Sequence, residues 1–281
     1  MSTRMPILRQ FIDGAELFDR ATEQPVDGSR DEFFRHGALN SVHFNTQVAA
    51  DLFCREERDR YALNDFGQIT CPYPEMFMEW EIPTGTTNDL IDVSVAALIT
   101  SHSDVIFVDP LVLGLDGTVY SGTTSMRVFI DPSGMPLRRQ ILGPKEHMGK
   151  LAEVEWLTIT RDVAHVAMLA LGLINCKNVT TREVGHIAWK RSGREKRRGA
   201  APNRVRYNTI ILPGGGSVVE GKPNEVRHRA SALHRVRGHF KTYTADAPLL
   251  GKHVGTYWWG WQVRGDLDNG AVVSNYRLAT S

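Results

Sequence analysis

The middle of this chain alternates apolar and polar positions at the period of a strand, and one long apolar stretch at the period of a helix interrupts it. Residues 76–83 (MFMEWEIP) read as a strand stopped by Pro83, and 91–100 (IDVSVAALIT) and 105–108 (VIFV) continue the pattern. Two turn signals follow: Asp116-Gly117 between LVLGL and TVYSG, and Asp131 to Gly134 between MRVFI and MPLRRQI. Residues 76–142 are therefore expected to form an antiparallel meander. The helical stretch is 151–172 (LAEVEWLTITRDVAHVAMLALG), with Glu153 and Glu155 near its start and Gly172 as its expected stop. Apolar residues nearly surround its axis after Val163, which predicts one long helix central to the core.

The flanks are less regular. Residues 1–30 mix short apolar patches with charge and read as a surface wrap. Residues 45–62 are helix-like, with Val48, Leu52 and Cys54 on the apolar side and Arg55 to Arg60 as a solvated end. Beyond the long helix, strands are expected at 173–184 (LINCKNVTTREV), 205–212 (VRYNTIIL), 233–243 (LHRVRGHFKTY) and 256–265 (TYWWGWQVRG). A basic loop fills 189–204, and a polar loop follows Pro213-Gly-Gly-Gly216. No internal repeat is present, and no linker marks the composition break near residue 185. The expectation is a single α+β domain over 1–281: an antiparallel sheet with the one long helix, joined to a basic, β-rich C-terminal half.

Charge sharpens this picture. Residues 186–264 hold 16 Lys/Arg against 4 Asp/Glu, whereas 1–185 hold 16 against 26, although the whole chain carries only +1. The first 185 residues read as an acidic scaffold and 186–281 as a basic face suited to a polyanion. Three cysteines, Cys54, Cys71 and Cys176, lie far apart, which argues against a disulfide framework or a Cys-type zinc site and for a reducing compartment. The N-terminus lacks the apolar core of a signal peptide, and no run of apolar residues reaches a membrane span. The expected location is the cytoplasm of a bacterial host cell or a virion, with no membrane contact.

The candidate chemistry lies in the basic half. Alternation along 233–243 puts Arg235, Arg237, His239, Lys241 and Tyr243 on one face, with Gly238 leaving a gap for another backbone. Such a row holds phosphate through guanidinium forks and an ammonium point charge. It also carries the parts for metal-independent RNA cleavage by His239, Arg237 and Lys241, with His253 or His228 as the second histidine. His234 falls on the opposite face. Lys190, Arg191, Arg194, Lys196, Arg197 and Arg198 form a flexible basic loop able to hold nucleic-acid backbone without reading sequence. Lys252, Trp258 and Arg264 add bases and an aromatic near the C-terminus, where single-stranded bases could stack, although most of the Tyr257–Trp261 aromatics read as core. No metal or cofactor is expected: His228, His234, His239 and His253 lack a nearby Asp/Glu pair or Cys. Glu75, Glu79 and Glu81 read as a solvated acidic strand face before a cation site, and His165 as a buried or edge histidine with a local partner.

The ordered segments LINCKNVTTREV, the Lys/Arg/Gly-rich loop, RVRYNTIIL, HRVRGHFKTY and GKHVGTYWWGWQVRG, with MFMEWEIP in the first half, resemble a set of uncharacterised proteins met in bacteriophage and prophage genomes. The resemblance implies a phage or mobile-element setting and carries no activity with it. The leading expectation is a protein that binds nucleic acid, RNA or single-stranded DNA, with metal-independent ribonuclease action as its sharper form. The other expectations are a non-enzymatic virion protein meeting an acidic partner, and a nucleotide-dependent transferase.

Overall fold

The computed structural model describes residues 5–20, 22–55, 62–81, 94–122, 124–143, 151–188, 204–213, 232–236, 238–260, 262–264 and 266–271. In chain order the elements begin with α1 (Pro6–Asp13), β1 (Leu17–Asp19), α2 (Gly28–Asn40), β2 (Val42–Asn45), α3 (Gln47–Arg55) and a 3-10 turn (Leu63–Phe66). The antiparallel section follows as β3 (Glu75–Glu81), β4 (Ser94–His102), β5 (Val105–Leu113), β6 (Val119–Ser121), β7 (Ser125–Ile130) and β8 (Pro136–Leu142). The rest comprises α4 (Leu151–Ile174), β9 (Thr180–Ala188), β10 (Arg204–Ile211), β11 (Ala232–Val236), β12 (His239–Tyr243), β13 (Gly255–Trp259), β14 (Gln262–Arg264) and β15 (Asp266–Ala271). The chain is α+β as its pattern predicts.

The meander forms, and both turn signals close hairpins: the Gly117 N–H donates to Gly114 O and the Gly134 N–H to Asp131 O. β3, β4 and β5 pair antiparallel in sequence, and the far edge of β5 pairs β7 through Val105–Val108 and β6 through Leu111–Leu113. The sheet is mixed rather than purely antiparallel. It runs β1-β6-β5-β4-β3-β2-β10-β9, with β7 and β8 branching from β5, and β1–β6, β2–β3 and β2–β10 are parallel pairs. Residue 185 is no break, because β9 passes through it.

Helices cover both faces. Met76, Met78, Ile99 and Val108 point to the side of α3 and α4, where one core forms with Leu52, Phe53, Ala167 and Leu171. Phe77, Leu98 and Leu111 point the other way and pack with Ile7, Leu8, Phe11 and Phe34 of α1 and α2. Strands buried on both faces read as continuous apolar runs. The long helix is joined by α3, which falls within the helix-like stretch 45–62, and by α1 and α2, which the sequence pattern did not announce. The N-terminal segment is not a surface wrap, since α1 seals the second core with four buried apolar residues.

That covering also corrects the acidic strand face. Glu79 is fully buried, and its carboxylate accepts from the Ile7 N–H at 2.6 Å and the Leu8 N–H at 3.1 Å. These are donors of the first turn of α1 that the helix itself leaves unpaired, and no side chain of α1's own N-cap residue, Met5, serves them. Gly172 does not end α4, which continues to Ile174. A Cβ there would collide with the Phe66 carbonyl, so this glycine lets the 3-10 turn lie against the helix. Residues 173–184 accordingly open as helix and turn before β9 begins. The window Leu157–Ile174 is long and apolar enough to cross a membrane by length and composition, and 67% of it is buried within the fold.

Candidate nucleic-acid interface

The predicted strand 233–243 is two ladder segments. β11 pairs with β14 (Val236 with Gln262), and β12 pairs with β13 (His239 with Trp259). The two antiparallel pairs keep the same offset between their strands.

The inner face of β12–β13 is fixed to the core. Trp258 is 5% exposed, and its ring lies 4.8 Å from Phe240. A Cβ on Gly238 would come within 2.6 Å of Trp258 Cζ2. The gap at Gly238 is therefore filled by this indole, and no outside backbone enters it. Trp258 is corrected from a stacking candidate to a core residue: its face is spent on Phe240 and Gly238. Asn178, just after α4, docks the hairpin with its amide. Its Nδ2 donates to Trp258 O at 2.7 Å, and its Oδ1 accepts from the Trp258 N–H at 2.9 Å. The Lys177 N–H donates to Thr256 O, and the Thr242 and Thr256 hydroxyls pair at 2.9 Å.

The outer face carries the other parity. His239 and Lys241 are exposed, while Tyr243, Tyr257 and Trp259 are half-buried. Tyr243 meets Tyr257 edge to face with centroids 5.9 Å apart, and Lys241 Nζ lies 5.0 Å from the Tyr243 ring. Cross-strand pairing sets Lys241 beside Tyr257 and His239 beside Trp259. The result is a patch of three aromatic rings with an ammonium and an imidazole among them.

Of the predicted residues, His239, Lys241 and Tyr243 are brought together here. Lys252 and His253 are exposed in the connection between β12 and β13, beyond the Tyr243–Gly255 pair. His239 is at the opposite end of the ladder, four strand steps, roughly 14 Å, from Tyr243, and His253 follows beyond that end. A general acid and base must both reach one phosphate, and this register does not bring His239 and His253 to a common site. Arg235 and Arg264 occupy β11 and β14. Arg237, His228 and the six bases Lys190, Arg191, Arg194, Lys196, Arg197 and Arg198 lie outside the described residues. Tyr257 and Trp259 were passed over because aromatics in a strand read first as core; their parity relative to Trp258 was the signal that separates them.

Elsewhere, His165 is 4% exposed between the Phe53 and Phe66 rings, and its Nε2 faces Arg139 Nη1. An arginine can only donate, so Nε2 accepts and Nδ1 keeps the proton, buried without a partner among the described residues. Burial first, then the charges of Arg139 and Arg161, push His165 down to about 3. Among the described residues no group of three or more His, Cys, Asp or Glu is placed to hold a metal ion. No family model, curated protein or solved structure matches this chain.

Proposed function

We propose that this protein binds single-stranded nucleic acid, RNA or DNA, across the outer face of the β12–β13 hairpin. The observation that carries the reading is the division of that hairpin: Phe240 and Trp258 are held in the core, while the half-buried Tyr243, Tyr257 and Trp259 share the opposite face with the exposed His239 and Lys241. Outward rings on a fixed ribbon stack unpaired bases, and the ammonium and imidazole meet the backbone phosphates. The separation of His239 from His253 favours binding over cleavage. The phage or mobile-element setting, and a location in the host cytoplasm or the virion, rest on the segment resemblance and belong to the same proposal.

The test is a titration of labelled single-stranded RNA and DNA of mixed sequence, in EDTA, at two salt concentrations. Affinity is expected to fall steeply with salt because counterions are released. Tyr257→Ala should cost about 1–3 kcal/mol of binding, and Lys241→Ala should make the salt dependence shallower by about one phosphate contact. The RNA should remain intact on a denaturing gel. Binding that ignores both substitutions sinks the proposal, and cleavage lost in His239→Ala would restore the catalytic version.

A further inference from the structure

We propose that the free edge of β8 captures an acidic peptide as an added strand, a surface separate from the nucleic-acid face. Among the described residues β8 pairs with β7 alone, so no further strand continues the ladder on its other side. The register slips between Phe129 and Ile130 and leaves Leu137 as an extra residue, after which the ladder is regular from Arg138 to Leu142. Leu137, Arg138, Arg139 and Gln140 are exposed.

The pleat sends the two arginines to opposite faces. On one face Arg138 lies 3.8 Å above the Phe129 ring. Arg127 continues that row, 5.9 Å from Phe129 and 5.2 Å from Phe107. On the other face Arg139 reaches His165 of α4, with Arg161 one helical turn away. Arg161 is paired with Asp162, but neither Arg138 nor Arg139 has a carboxylate partner among the described residues. Stacking on Phe129 of β7 and contact with His165 of α4 hold both guanidiniums in place on the two faces of β8, so little side-chain freedom remains to be lost on binding.

Three occupants can be compared. A second copy of β8 would set arginines against arginines, and this kind of charged edge blocks self-pairing. A nucleic acid satisfies the charge but cannot continue a peptide ladder. An extended acidic peptide does both: its backbone completes the ladder and its carboxylates meet the guanidiniums. Because Arg138 and Arg139 are consecutive, the captured strand must carry two adjacent acidic residues, one for each face.

The experiment is a selection of randomised octapeptides against the intact protein. The starting chain is run beside Arg138→Gln/Arg139→Gln and Arg138→Glu/Arg139→Glu, with circular dichroism confirming that each variant is folded. Enriched peptides should share adjacent Asp/Glu in an extended, proline-free frame. They should bind the Gln variant roughly tenfold more weakly or worse and protect the amides of Arg138–Leu142 from hydrogen exchange. The Glu variant should select adjacent Lys/Arg instead. No acidic consensus, equal binding to the Gln variant, or protection elsewhere overturns the proposal. So does protection of the β8 amides by single-stranded RNA, which would assign this edge to nucleic acid. Loss of RNA binding in Tyr257→Ala reads out the hairpin face alone, so the two proposals fail separately.

Discussion

Two buried ionisable residues set opposite pH windows for stability. Burial pushes Glu79 up to about 8, against the two α1 N–H groups that pull it down, and Glu81 adds a small upward push. A raised acid favours the folded state in its protonated form. Its contribution is complete below the ordinary value of 4.5 and is lost as pH rises through 8. The melting temperature should therefore fall more steeply between pH 5 and 9 in the native chain than in Glu79→Gln; parallel curves would remove Glu79 from this role. His165 works the other way. Its neutral form is the one the fold holds, so its contribution is present above the ordinary 6.5 and is lost as pH falls toward 3. Thermal melts of His165→Asn should show a flatter acid limb than the native chain. The burial of His165 was legible in its apolar helix, whereas the environment of Glu79 was not. Glu75, Glu79 and Glu81 share a strand face, and a strand face with three acids reads as solvated until a helix from the distant N-terminus is laid over it.

The hairpin depends on a few contacts at its inner face. Asn178→Ala removes both side-chain bonds to the Trp258 backbone and should cost about 1–3 kcal/mol, with nucleic-acid affinity reduced in the same variant. Gly172→Ala drives a methyl group into the Phe66 carbonyl and should cost about 1–3 kcal/mol or more. Urea unfolding reads both. At this scale the sequence was most informative where structure is local. The turns at Asp116-Gly117 and Asp131–Gly134 declare themselves through turn chemistry, and strand alternation in 233–243 correctly groups His239, Lys241 and Tyr243. The end of α4 was misread because a glycine marks both a helix stop and a close contact, and only the neighbouring turn tells them apart. Trp258 was misassigned for a similar reason: parity says which aromatics share a face, not which face meets the core.

Across the whole molecule, the charge division and the fold do not share a boundary. β10, from the basic half, lies between β9 and β2 in the main sheet, and Trp80 and Trp258 belong to one core. Far-ultraviolet dichroism and tryptophan fluorescence should therefore report one coincident unfolding transition, and an early fluorescence step would detach the hairpin from that core. The charge asymmetry was readable from composition, but strand order was not, because pairing between distant segments leaves no local mark. The parallel pairing of β2 with β10 also bears on how the chain is made. His43 finds its partner in Tyr207 only after most of the protein has been synthesised. Until then the β2 edge has nothing to pair with, and closing so large a loop is slow. The β2–β10 pairing should form only once β10 has been made, and the nascent chain should be at its most aggregation-prone just before then.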